Sequence, residues 1–290
     1  MFRQKTGSVV CASCGSLVGV NDEQCYSCGR RNPGLWGFGP VLRRLGNDFG
    51  FTTAIVYGCA ILYALSLILT VVTRGNLFSG SIFSMLGPNQ QASLALGASG
   101  AYPVFVEKHW WTLLSAGWLH AGALHILFNV MWVRELGPAV ANMYGGARMV
   151  IIYTISSACG FLLSSFLGAY AAIPFFSGAG LTLGASAPIF GLLGALVHYG
   201  RRGGSSLVGS TALNYAITMG VFGLIMPGID NSAHLGGFLG GYLASMWLDP
   251  LKPERMDHFV GAAICLLATA IAIIVSLVTV LPELMRVFNA

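Results

Sequence analysis

Apolar runs of about twenty residues, the length a helix needs to cross a bilayer, recur near 51–73, 111–133, 149–169, 206–226 and 258–282. In lipid, every backbone N–H and C=O must be satisfied inside the structure, so such runs fold as helices. Two shorter runs, 185–200 and 233–248, are interrupted by Gly and carry a Ser and a His. The expectation is an all-α polytopic membrane protein with seven spans. Only 9% of the residues are charged, against about 25% in a soluble domain. The 39 glycines suit closely packed transmembrane helices.

The net charge is +5, but the basic residues sit in short clusters beside the apolar runs. That is the pattern of topology signals, so the expected surroundings are a lipid bilayer and no nucleic acid. With the N-terminus inside, Arg3, Lys5, Arg30, Arg31, Arg43, Arg44, Arg134, Arg148, Arg201, Arg202, Lys252 and Arg255 are all inside. Only Arg74, Lys108 and Arg286 fall outside. The segment 74–110 is long and nearly uncharged, with Phe78, Ile82, Phe83, Met85, Leu86, Tyr102, Phe105, Trp110 and Trp111. It is expected to lie partly in the outer leaflet, its aromatics at the interface.

Helix rise turns the two short runs into depths. Ser186 to Gly200 is fourteen steps, about 21 Å, and His234 to Asp249 is fifteen, about 22 Å. Measured from the inner face of a core about 30 Å thick, both residues stop at one depth, below the outer boundary. Pro188 suits the first turn of a helix, which places Ser186 near a helix N-terminus, where free N–H groups favour developing negative charge. Gly191 and Gly194 on one run, and Gly236, Gly237, Gly240 and Gly241 on the other, would let the two backbones approach.

A serine hydroxyl is a poor nucleophile until a base takes its proton, and His is suited to that task near neutrality. A tetrahedral oxyanion then needs hydrogen-bond donors. His125 and Asn129, four apart on the second run, share a helix face, and the Ser186 backbone N–H is a further donor. Asp230 precedes His234 by four residues but is expected in the loop, so a Ser–His dyad is favoured over a triad. Phe190 either packs against the imidazole or is an ordinary core aromatic. No cofactor is needed for this chemistry.

With these residues in view, the chain from about 51 to 248 resembles the rhomboid family of intramembrane serine proteases. The resemblance rests on Gly184-x-Ser186, on Ala233-His234-x-x-Gly237-x-x-x-Gly241, and on His120, His125 and Asn129, in family order. It implies a catalytic dyad of Ser186 and His234, oxyanion-hole roles for His125 and Asn129, and a place for Phe190 stacked on the histidine. Gly184, His120, Gly237 and Gly241 would support the site. It also implies a six-helix core, so that 258–282 is an extra C-terminal transmembrane helix. Substrates would be transmembrane proteins with small residues at the cut and helix-weakening residues nearby. The rival expectation is a catalytically silent rhomboid-like binder of transmembrane helices. Two positions depart from the family pattern: its Trp-Arg pair appears as Trp110-Trp111, and its Glu aligns with Ala141. The expected location is the plasma (inner) membrane of a bacterium, with the active site opening outward.

Of seven cysteines, Cys59, Cys159 and Cys265 fall in apolar runs and are expected to be small core residues. Cys11-x2-Cys14 and Cys25-x2-Cys28 look like a structural zinc ribbon, each pair followed by a Gly suited to a tight turn. Two disulfides are the alternative, disfavoured in a reducing cytoplasm. The expected division is a ribbon at 1–34, a linker at 35–50, the protease core at 51–248, and the extra helix with its tail at 249–290.

Overall fold

The computed structural model describes residues 3–40, 46–73, 75–77, 85–171, 173–174 and 176–288. Arg43, Arg44, Arg74, Phe78, Ile82 and Phe83 lie outside the described residues. Helices α1 (Phe51–Val72), α5 (Gly146–Tyr170), α7 (Ser206–Ile225) and α9 (Met256–Phe288) are each long and apolar enough to cross a membrane. Their lipid-compatible faces remain open, with Ile61, Ile217 and Ile264 among the exposed side chains.

The second run is not the single helix expected over 111–133. A short helix α3 (Thr112–Ser115) passes into a 3-10 turn (Ala116–Trp118), and the chain then extends before α4 (Ala123–Tyr144). The two parts meet at 95°. The break falls where Leu119 is extended and Gly122 is fully stretched at φ 171, a turn that an apolar tally cannot register. A further short helix, α2 (Gln90–Ala95), begins at Asn89, whose side chain accepts the Ala92 N–H at 2.8 Å. Much of the described part of the outer segment is therefore ordered. Phe105 meets Trp110 and Tyr170 edge-on, at 5.3 and 5.1 Å between ring centroids.

The two Gly-interrupted runs become α6 (Ser186–Arg201) and α8 (Asn231–Trp247), of 16 and 17 residues. At about 1.5 Å per residue they are some 24–26 Å long, shorter than the hydrocarbon core. Every α6 residue from Ala187 to His198 is buried, so this helix forms the centre of the bundle, against α4, α5, α7 and α8. The glycines of α8 divide between two neighbours. Cβ atoms at Gly237 and Gly241 would strike the α6 backbone at Ala187 and Gly191, while Gly236 and Gly240 face Cys159 of α5. Small residues set both crossings.

The end of the bundle remote from Ser186 is tied by charge. Arg148, 2% exposed, donates to the carbonyls of Tyr144, Asp249, Lys252 and Pro253 at 2.7–3.3 Å. Arg202 and Lys252 both approach Asp249. Thus Arg148, Arg202 and Lys252, expected on one side of the membrane, share one end of the fold. The N-terminal hairpin, β1 (Ser8–Val10) paired antiparallel with β2 (Leu17–Gly19), docks there too. Arg30 lies over the Phe259 ring at 4.5 Å and donates to Ser13 Oγ at 2.7 Å. Ser13 in turn hydrogen-bonds the Glu254 carbonyl. Glu254 is itself buried, and that burial raises its carboxyl above the ordinary range against the pull of Arg148 and Arg30.

Candidate active site

Ser186 opens α6, as its spacing from Pro188 suggests. The first intrahelical bond here runs from Ile189 N–H to the Ala185 carbonyl at 3.0 Å, and Pro188 has no N–H to strand. The backbone N–H groups of Ser186 and Ala187 head the helix, where an anion is best received. The approach to Ser186 is a strand-like segment. Thr182 exchanges both backbone hydrogen bonds with Ser99, and Gly184 N–H donates to the Ala116 carbonyl at 3.0 Å. Gly184 sits at φ +134, and a Cβ there would come within 2.7 Å of the His125 ring. Only glycine allows both that backbone angle and that approach.

His234 stands at the start of α8. Asp230 caps this helix by accepting the Ala233 N–H at 2.9 Å, and its other oxygen takes the Ser164 hydroxyl of α5. Asp230 is thus an anchor for the helix start, with both carboxylate oxygens engaged. His234 is buried, and its Nδ1 has no hydrogen-bond partner among the described residues. Phe190, one turn beyond Ser186, stacks on the imidazole at 4.2 Å between centroids and 12° from parallel.

The two helices meet beside both residues. A Cβ built on Gly160 of α5 would lie 2.7 Å from Ala187 Cβ, 2.7 Å from the Ala233 carbonyl and 3.2 Å from the Gly237 nitrogen. Ala187 follows Ser186 and Ala233 precedes His234, so the crossing brings the pair to one place. Among the described residues no hydrogen bond joins the Ser186 hydroxyl to the imidazole, a contact that commonly tightens only around substrate.

His125 and Asn129 lie on the first turns of α4. The Ala121 N–H donates to His125 Nδ1 at 3.2 Å. Nδ1 is therefore the acceptor, and a neutral ring carries its proton on Nε2, on the side of the ring that a Cβ at Gly184 would meet. Asn129 donates one amide hydrogen to the His125 carbonyl at 3.0 Å, which leaves a second. His120 meets His125 edge-on at 5.2 Å and is buried. Gly184 lies beside both the Ser186 hydroxyl and the His125 ring, His120 lies against His125, and Phe190 lies against His234. Asn129 is tied to the His125 carbonyl, and Gly237 and Gly241 belong to the helix crossing.

Two supports went unread in the sequence. Gly160 closes the crossing and Ser164 holds Asp230, both from α5. Their signal was available, since Ser156, Gly160 and Ser164 place small residues every fourth position along that helix. The Gly184–Ala116 bond had no such signal.

The four N-terminal cysteines also converge. Cys11 and Cys28 sulfurs are 3.8 Å apart, Cys14 and Cys25 sulfurs 3.7 Å, and all four lie within 4.8 Å of one another. Sulfurs about 2.3 Å from a tetrahedral centre stand about 3.8 Å apart, whereas a disulfide requires about 2.05 Å. Gly15 and Gly29 take φ +78 and +72 in the turns after each pair. The group could hold a metal ion.

Residues 107–251, half of the chain, match the family model described as Rhomboid domain. The chain is 30% identical over 172 residues to RHOMBOID-like protein 7 of Arabidopsis thaliana, covering 57% of this chain and 51% of that protein. It is 30% identical over 186 residues to Rhomboid protease GluP of Bacillus subtilis, covering 63% and 34%. With RHOMBOID-like protein 1 of Arabidopsis thaliana it shares 36% identity over 172 residues, covering 55% and 40%. The chain thus spans about half, or less, of the length of these relatives. It belongs to the rhomboid family, most of whose members are serine intramembrane proteases. It is an integral membrane protein.

Proposed function

We propose that this protein is an intramembrane serine endopeptidase that cuts peptide bonds in or near the transmembrane helices of other membrane proteins. The observation that carries the reading is the α6–α8 crossing, where Ala187, Ala233 and Gly237 meet while Phe190 lies flat on His234. With Nδ1 sealed in the protein, Nε2 of His234 is the nitrogen available to Ser186. It takes the hydroxyl proton as Oγ attacks the scissile carbonyl carbon. The oxyanion is received by His125 Nε2–H, the free Asn129 amide hydrogen and the Ser186 backbone N–H. Collapse expels the amine, which leaves with the proton from His234, and water then hydrolyses the acyl-enzyme by the same base. The basic residues gathered at the far end support an N-terminus on the cytoplasmic side and a site opening outward.

The cysteine cluster, in this reading, holds a structural zinc ion. Four thiolates complete its coordination, leaving no open position for catalysis. The ribbon at 1–34, core at 51–248 and added helix beyond are then three units of one chain.

A fluorophosphonate probe on detergent-solubilised protein tests the reading without knowledge of the substrate. Covalent labelling of wild type, absent in Ser186→Ala, is expected. An unlabelled but folded wild type would instead identify a silent binder of transmembrane helices.

A further inference from the structure

We propose that the added C-terminal helix α9 positions the active site, with Ser276 and Trp111 as its point of attachment; the proposal rests on the reading of Ser186 as nucleophile. Trp111 stands where the family pattern has an Arg. Its indole N–H donates to Ser276 Oγ at 3.1 Å, and Ser276, 2% exposed, donates to the Ala272 carbonyl at 2.9 Å. The Ser115 hydroxyl lies 3.5 Å from that of Ser276 and donates to the Gly97 carbonyl at 2.8 Å. Gly97, at φ +94, leaves space that a Cβ would take from both hydroxyls. A neutral donor on a buried hydroxyl holds the outer segment without the desolvation that an ion pair would bring.

This knot is one residue from the site's backbone. Ala116, next to Ser115, accepts the Gly184 N–H, and Gly184 precedes Ser186 by two. A second route is apolar: Ile273 and Leu277 of α9 join Leu181 and Leu183 in one cluster with Leu96 and Leu119. The segment that delivers the nucleophile is thus held by α9 through a polar link and an apolar one. A helix that merely filled a groove in the bundle would pack by apolar contact alone and would not need the polar link.

The test compares full-length wild type, Ser276→Ala, Trp111→Phe and the double variant in detergent, well below their melting temperatures. Probe labelling of Ser186 per folded molecule should fall about 10-fold in each single variant, the scale of a displacement well under 1 Å in a reacting group. The double variant should be no worse than the singles, because both changes cut one link. Hydrogen exchange of the amides at 182–184 should quicken in all three. Labelling and exchange that stay at wild-type values while the melting temperature drops would overturn the proposal and leave α9 a brace. A wild type that does not label would refute the protease reading instead. The exchange measurement still decides then, faster exchange upholding the link from α9 to the Ser186 segment and unchanged exchange removing it.

Discussion

Phe190 and His234 lie face to face, 4.2 Å between ring centroids, so the helix that carries the candidate nucleophile also holds the candidate base. Phe190 is four residues after Ser186 and therefore on the same face of α6. Any rotation of α6 would move nucleophile and base support together. The flat ring limits imidazole tilt in a way that an aliphatic side chain cannot. Phe190→Leu keeps the site apolar but removes that surface. Turnover of a model transmembrane substrate should fall about 10–10²-fold, the scale of a small misplacement, with KM nearly unchanged. Steady-state kinetics check this, and an equal rise in KM would mean that Phe190 lines the substrate path.

The dyad itself predicts non-additivity. Ser186→Ala and His234→Ala should each abolish cleavage while leaving thermal stability near wild type. The double variant should be no slower than either single one, since two groups that act as a unit are lost once. Substantial cleavage by Ser186→Ala would remove the assignment.

What could be read from the sequence followed from local spacing. The positions of Ser186 and His234 near helix starts were legible through helix rise from charged ends, and Gly191, Gly194, Gly237 and Gly241 as small residues three or four apart along the helices whose α6–α8 crossing uses them. The Gly after each cysteine pair foretold the two left-handed turns. Relations between distant segments were not legible. Trp111 and Ser276 are 165 positions apart, and nothing near either residue marks the other as its partner. The bend after Trp118 escaped because hydropathy adds up along a chain and does not record direction. The sequence marks Arg148 as a topology signal, and the structure puts it at one end with Arg202 and Lys252. Its burial against the carbonyls of 249–253 depends on a loop that spacing does not bring near.

The oxyanion donors predict a separation of binding from turnover. Asn129→Ala should lower turnover by about 10²-fold, the usual scale for one such donor, and His125→Ala at least as much. Capture of substrate should change far less, because these groups meet a charge that exists only during reaction. The comparison is co-purification of substrate with a Ser186→Ala trap, with and without Asn129→Ala. A loss of capture equal to the loss of cleavage would make Asn129 part of the binding groove.

Metal removal should act on stability at one end of the molecule and leave the chemistry at the other untouched. Purified protein is expected to carry about one zinc per chain, lost when Cys11 and Cys14 are changed to Ser. The ribbon then loses the coordination that closes its two turns, since a small metal site supplies much of its own folding energy. Its dock unravels with it: Arg30 leaves the Phe259 ring, and Ser13 leaves the Glu254 carbonyl. Melting temperature should therefore fall in the Cys→Ser variant, and Arg30→Ala should lower it by a smaller amount with zinc retained. Ser186 opens α6 at the other end of the bundle, and no candidate active-site residue lies within 1–34. Probe labelling of Ser186 should accordingly match wild type in both variants and in a chain lacking residues 1–34, when measured well below melting. Elemental analysis and labelling rates on the same preparations check both halves. Zinc near zero in metal-replete, reduced wild type would remove the metal assignment, and slowed labelling with the core still folded would show that the ribbon reaches the active site.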